Sequence, residues 1–127
     1  VADRRFRVEL TASFLARLES IETFLLHANA RFAFDALLGE LRTTVIPNLS
    51  QFPRIGRRYL ANPPQSAEAL ALLGAWPAGT LEALREYIHG DYLLLYLAVD
   101  GEATLYLLSI RHHRELSFDF RGLWPGG

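Results

Sequence analysis

Two apolar runs, Tyr92–Val99 and Ala103–Arg111, face each other across the dipeptide Asp100-Gly101, and this arrangement constrains the fold more than any other feature of the chain. Asp-Gly supplies the positive φ that a tight hairpin needs, so the two runs read as adjacent antiparallel strands. A third run at about 82–88 precedes the turn His89-Gly90-Asp91 and completes a three-stranded meander. The central runs are apolar on both faces, which a sheet tolerates only when both faces are covered. The last strand ends in a cationic cluster, Arg111, His112, His113 and Arg114.

The region before the meander supplies one cover. Arg5–Leu10 alternates polar with apolar residues and places Phe6, Val8 and Leu10 on one face of a half-buried strand. Thr11 or Ser13 can cap the helix that follows by accepting a backbone N–H. In that helix Phe14, Leu18, Ile21, Leu25 and Ala28 recur at spacings of three and four, an apolar stripe. Asn29 tolerates left-handed backbone and marks the break. A second stripe runs through Ala33, Leu37, Leu41, Thr44 and Leu49, with Pro47 expected to kink or end the helix near Val45. Two such helices form an antiparallel hairpin against the sheet. The other face must be covered by a partner, a tail or a second copy.

Between hairpin and meander, Gln51-Phe-Pro-Arg-Ile-Gly-Arg-Arg58 reads as a loop. Beyond it, Asn62-Pro-Pro is a stop, residues 66–73 suit a short capped helix, and Trp76-Pro-Ala-Gly79 is a turn. Residues 121–127 read as a frayed tail. At 127 residues, half of them apolar, the chain fits a single domain over 1–127. No run is long enough to cross a bilayer, so no membrane association is expected. The N-terminus lacks the cationic-then-apolar shape of a secretory signal, and the cytoplasm is the expected location. Cysteine is absent, which excludes disulfides and thiolate zinc sites.

All 13 basic residues are Arg, yet the formal net charge is −1. Near-neutrality argues against a protein that coats nucleic acid, so any phosphate contact must be local. Two places offer one. Around Gly56, Arg54, Arg57 and Arg58 form the first, with helix-end carbonyls as their alternative partners. In the second, strand alternation puts Arg111 and His113 on one face and His112 and Arg114 on the other. In-line cleavage of RNA needs a base, an acid and a cation, and Arg111 with His113 could supply two of these. The alternative is a solvated pair of imidazoles beside Glu115 and Asp119. Zinc is disfavoured, because His112 and His113 point apart and have no evident third ligand. Tyr87, Tyr92, Tyr96 and Tyr106 read as strand-packing residues, and Glu82 and Glu86, which bracket Arg85, as strand-edge charges.

The succession of strand, helical hairpin, Pro53-Arg-Ile-Gly-Arg57 loop and meander with a basic end resembles the RelE/ParE superfamily of bacterial toxins over about residues 5–118. Residues 59–80 would then be an insertion. The resemblance implies an α+β fold: a curved antiparallel sheet, made of the N-terminal strand plus the three-stranded meander, packed on a two-helix hairpin. It also implies a toxin of a type II toxin–antitoxin or plasmid-stabilisation module, neutralised by a cognate antitoxin protein that wraps a hydrophobic groove. No cofactor is expected; a homodimer is a further expectation.

Targets in that superfamily divide. ParE-like members inhibit DNA gyrase, whereas RelE-like members cleave mRNA in the ribosome. The Pro53–Arg57 loop, Tyr96 within its apolar strand and the low charge favour the ParE-like reading. Arg54, Arg57, Arg58, Arg85, Tyr96 and Arg114 are then the expected target-binding residues. The RelE-like alternative, a ribosome-dependent endoribonuclease, would use Arg111, His112 and His113 as catalytic groups. A third reading is a binding module without catalytic activity.

Overall fold

The computed structural model describes residues 5–59 and 83–112. Strand β1, Arg7–Leu10, leads into helix α1, Ala12–His27. Helix α2, Arg31–Glu40, passes through a π-helical turn at Leu41–Val45 into helix α3, Ile46–Gln51. The short strand β2, Arg57–Arg58, follows, and the meander comprises β3, Leu84–His89, β4, Tyr92–Val99, and β5, Thr104–His112. The five strands lie in the order β1-β5-β4-β3-β2. The helical hairpin packs on one face of this sheet, which gives the expected α+β architecture.

Thr11 begins α1 as expected. Its Oγ1 accepts from the Phe14 N–H at 3.2 Å and donates to the Leu107 carbonyl at 2.8 Å. The Thr11 N–H also donates to that carbonyl, at 3.2 Å. That bond continues the parallel β1–β5 ladder one step past the Leu10–Leu107 pair; on the side facing β4, β5 carries a bulge, since Leu95 pairs with Ser109 and Tyr96 with Leu107 and Leu108 is the extra residue. Phe14, Leu18 and Ile21 are buried, Leu25 packs at the edge of the core, and Ala28 is exposed. Asn29 takes φ 57°, the left-handed break that its amide favours.

Four details differ from the sequence reading. β1 runs parallel to β5, so the sheet is mixed and only its β2–β5 part is antiparallel. Alternation identifies a strand but carries no information on its direction. Pro47 does not end the second helix. The preceding π-turn lets the Ile46 N–H bond the Leu41 carbonyl five residues back, and Pro47 then falls in the first turn of α3, where its missing N–H costs little. The buried stripe accordingly reads Phe34, Leu37, Leu41, Val45 and Leu49, while Thr44 is exposed. Asp100–Glu102 forms a 3-10 turn, with the positive φ on Ala103, at 48°, rather than on Gly101. Finally, Arg57–Arg58 is a strand, pairing with Glu86 and Arg85 of β3.

Leu94, Tyr96, Leu105, Leu107 and Ile110 join the helical residues in one core. On the opposite face Leu84 and Leu95 are fully buried and Leu93 and Leu97 nearly so, all within the single chain. Apolar residues are thus buried on both faces, as the two-sided apolar pattern demands. The expected helix at 66–73, the turn at 76–79, Glu82, His113, Arg114 and the tail at 121–127 lie outside the described residues. Among the described residues no helix is long and apolar enough to cross a membrane, and no group of His, Cys, Asp or Glu could hold a metal ion.

Candidate functional site

Loop 52–58 is fastened to the sheet at each of its polar positions but one. The Gly56 N–H donates to the buried Tyr96 hydroxyl at 2.9 Å. Arg85, the strand neighbour of Tyr96, donates to the Gly56 carbonyl at 2.6 Å and to the Arg54 carbonyl at 3.3 Å. Gly56 is required by this close approach. A Cβ there would lie 2.7 Å from the Glu86 carbonyl oxygen and 2.8 Å from the Tyr96 ring and hydroxyl. Tyr96 is fully buried, and burial first of all raises its hydroxyl pKa, against the lowering effect of the Gly56 N–H and of Arg85. Its phenol therefore stays protonated and acts as an anchor for the loop.

The loop's cations are mostly engaged within the protein. Arg54 pairs with Asp100, both exposed. Arg57 donates from Nε at 2.9 Å and from a terminal nitrogen at 2.7 Å to one oxygen of Glu86, whose side chain is 3% exposed. A carboxylate so deeply buried must be paired, because an isolated one would bear a large desolvation cost. Of the three, only the Arg58 side chain is exposed with no polar partner among the described residues.

Glu86 is the residue that sequence reasoning misplaced: it is a buried ion-pair partner and no edge charge. The signal was present in Leu84-Arg-Glu-Tyr-Ile88, where period-2 alternation puts Glu86 on the same face as Leu84 and Ile88. A carboxylate on that apolar face implies a guanidinium opposite. Tyr59 and Arg111 belong to the same neighbourhood. The buried Tyr59 hydroxyl is pushed up to about 12 by burial and by Glu86, with Arg111 acting against both. Across β4, the Ser109 hydroxyl is fully buried without a hydrogen-bond partner.

Arg111 and His112 are not brought together. Arg111 pairs in register with Leu93 on the face of Glu86, whereas His112 pairs with Tyr92 on the helical face. There the two rings meet edge to face, with centroids 5.6 Å apart. His89 also lies on the helical face and contacts Glu40 at 2.5 Å, a tie between β3 and the end of α2 that the sequence did not reveal. On the Glu86 face, then, a protonated phenol, an ion-paired carboxylate and an engaged guanidinium stand together, with no imidazole among the described residues.

A search of curated proteins finds no match. Among solved structures, the chain is similar to one in the crystal structure of the toxin–antitoxin complex RelBE2 from Mycobacterium tuberculosis. The identity is 22%, the alignment covers 87% of this chain and 94% of that one, and the TM-score is 0.47. The family model for the ParE toxin of the type II toxin–antitoxin system, parDE, matches residues 8–117, from β1 through the end of the meander. That span takes in the hairpin, the fastened loop and every strand but the first residue of β1, and the chain is a member of this toxin family within the ParE/RelE superfamily.

Proposed function

We propose that this toxin acts on DNA gyrase, in the ParE manner, and that a cognate antitoxin protein neutralises it. The observation that carries the reading is the engagement of Arg57 by buried Glu86. A ribonuclease that stabilises a strained phosphate needs guanidinium groups free to meet it, and docking on polyanionic RNA favours a basic protein. Here the formal net charge is −1, and two of the three loop cations, Arg54 and Arg57, close on the protein's own carboxylates. Arg111 and His112 lie on opposite faces of the sheet, so those two do not act together. Arg58 is the loop residue best placed to meet a target, and Arg54, which bears an exposed ion pair, is the second. Tyr96, Arg85 and Arg57 serve that contact by holding the loop.

The test is supercoiling of relaxed plasmid by gyrase in the presence of the purified chain. The expected result is dose-dependent loss of supercoiling, relieved by the protein of the adjacent small gene. Unchanged supercoiling at a large molar excess over gyrase would remove gyrase as the target.

A further inference from the structure

Gly39 lies where α2 runs on into the π-helical turn, inside one continuous helical stretch. Glycine is the poorest helix former after proline, and nothing in the described chain requires it here. A Cβ at this position would meet no described atom within 4 Å. A helical glycine with open space above it suits close approach by another backbone. Its neighbours on the same side are Asp35, Leu38 and Arg42; counted from Asp35, the spacings to Leu38, Gly39 and Arg42 are those of one helix face. The Leu41 N–H still donates to the Leu37 carbonyl, so that face holds its direction up to the π-turn. Asp35 and Arg42 are exposed, Leu38 is 38% exposed, and Phe32, one turn earlier, is 76% exposed. Among the described residues Arg42 has no polar partner, and Asp35 has the loose contact with Arg31 at 3.9 Å.

We propose that this face of α2 packs antiparallel against the same face of a second copy, about a two-fold axis between Leu38 and Gly39. The face is its own complement. In that arrangement position 35 of each copy stands opposite position 42 of the other, so an Asp35–Arg42 contact forms twice. Leu38 stands opposite Gly39, so a side chain enters the gap that the missing Cβ leaves. A two-fold interface sets one patch against itself and makes each contact in duplicate. Helix axes come within about 8 Å only where the side chains at the crossing are small, and Gly39 supplies that position. Phe32 then lies toward the second copy's π-turn and closes each end. A partner unlike this chain has no need of an acid and a base at equal distances from a knob and a gap. One helix face is small for an interface, so the association is weak and concentration-dependent. The inference concerns the chain alone and does not depend on gyrase being the target.

Sedimentation velocity of the purified full chain, from micromolar to millimolar concentration, is the experiment. The expected result is a shift from monomer to dimer as concentration rises. Gly39→Leu should weaken dimerisation by about tenfold or more, because the added side chain overpacks the crossing. In dilute solution the same variant should melt no lower than wild type, since leucine favours the helix. A residue that merely supported the fold would not separate these two readouts. Asp35→Arg and Arg42→Asp should each weaken dimerisation by about tenfold, because each turns two opposite-charge contacts into like-charge ones. Mixed in equal amounts, the two variants should pair with each other about as tightly as wild type, each supplying the charge that the other lacks. Ile88→Ser, exposed on the sheet face away from the helices, should behave as wild type. A monomer at every concentration, dimerisation indifferent to Gly39→Leu, a mixture no tighter than its components, or loss of the dimer in Ile88→Ser would each overturn the proposal.

Discussion

Replacing Tyr96 with Phe isolates the bond on which the loop geometry depends. The ring would keep its place among Leu94, Leu107 and the helical residues, while the acceptor 2.9 Å from the Gly56 N–H would vanish. Gly56 is buried, so no water replaces that acceptor, and leaving a buried donor unsatisfied costs about 1–3 kcal/mol. Unfolding entropy of about 2.1 cal/mol/K per residue converts each kcal/mol into about 4 °C for a chain of this length. The expected fall in Tm is therefore about 4–11 °C by calorimetry, with the Gly56 amide exchanging faster with solvent. Tyr106→Phe is the internal control. That hydroxyl donates at 2.7 Å to Glu102 on the surface, and its loss should cost no more than about 0.5 kcal/mol. If Tyr96→Phe melted within a degree of the wild type and the Gly56 amide stayed protected, the hydroxyl would not be the anchor.

Other substitutions probe neighbouring parts of the same account. Arg57→Ala leaves the buried Glu86 carboxylate uncompensated and should cost about 3–5 kcal/mol by chemical denaturation; Glu86→Leu leaves a half-exposed Arg57 that can rehydrate and should cost clearly less. Equal costs would mean that burial of the carboxylate is not what demands the pair. Gly56→Ala, whose Cβ would press on the Glu86 carbonyl, should destabilise by about 1–3 kcal/mol. Gly39→Ala, in open space on α2, should instead stabilise by about 0.4–1 kcal/mol, so the two differ in sign in one thermal-shift experiment. In the alkaline range the chain has no Lys to titrate and its Arg stay charged, so tyrosines dominate. Tyr59 ionises near 10 when unfolded but is held up to about 12 in the fold. Its stabilising contribution is complete below pH 10 and disappears as pH climbs through 12. Denaturation midpoints from pH 9 to 12 should fall more steeply for the wild type than for Tyr59→Phe; parallel curves would contradict the assignment.

Periodicity was enough for the elements that bury apolar faces. Phe14, Leu18 and Ile21 at helical spacing, and two-sided apolar runs broken at Gly90-Asp91 and Asp100-Gly101, determine the helix and the meander because burial there outweighs every other local term. The direction of β1 was not legible, since polar–apolar alternation is the same whether a strand pairs parallel or antiparallel. Nor was the continuity of the second helix, because Pro47 is tolerated only after the π-turn shifts the hydrogen-bond pattern by one residue. At the site, residue types were legible and roles were not. Arg54, Arg57, Arg58 and Arg85 read alike as cations in sequence. What separates them is which acid or carbonyl lies within reach, and those partners are 29 to 46 positions away in the chain. Tyr96 likewise reads as a surface for a target until its hydroxyl is found facing Gly56 inside the protein.

The proposal that this toxin, with Arg54 and Arg57 closed on its own carboxylates, acts on gyrase and not on mRNA is tested most directly by mapping mRNA 5′ ends in cells during induced growth arrest. Wild-type chain, Arg111→Ala and a vector control would be compared, with plasmid topology read from the same cultures. The account predicts arrest with relaxed plasmid and a 5′-end pattern indistinguishable from the control. New cleavage sites within translated codons, abolished by Arg111→Ala, would contradict it.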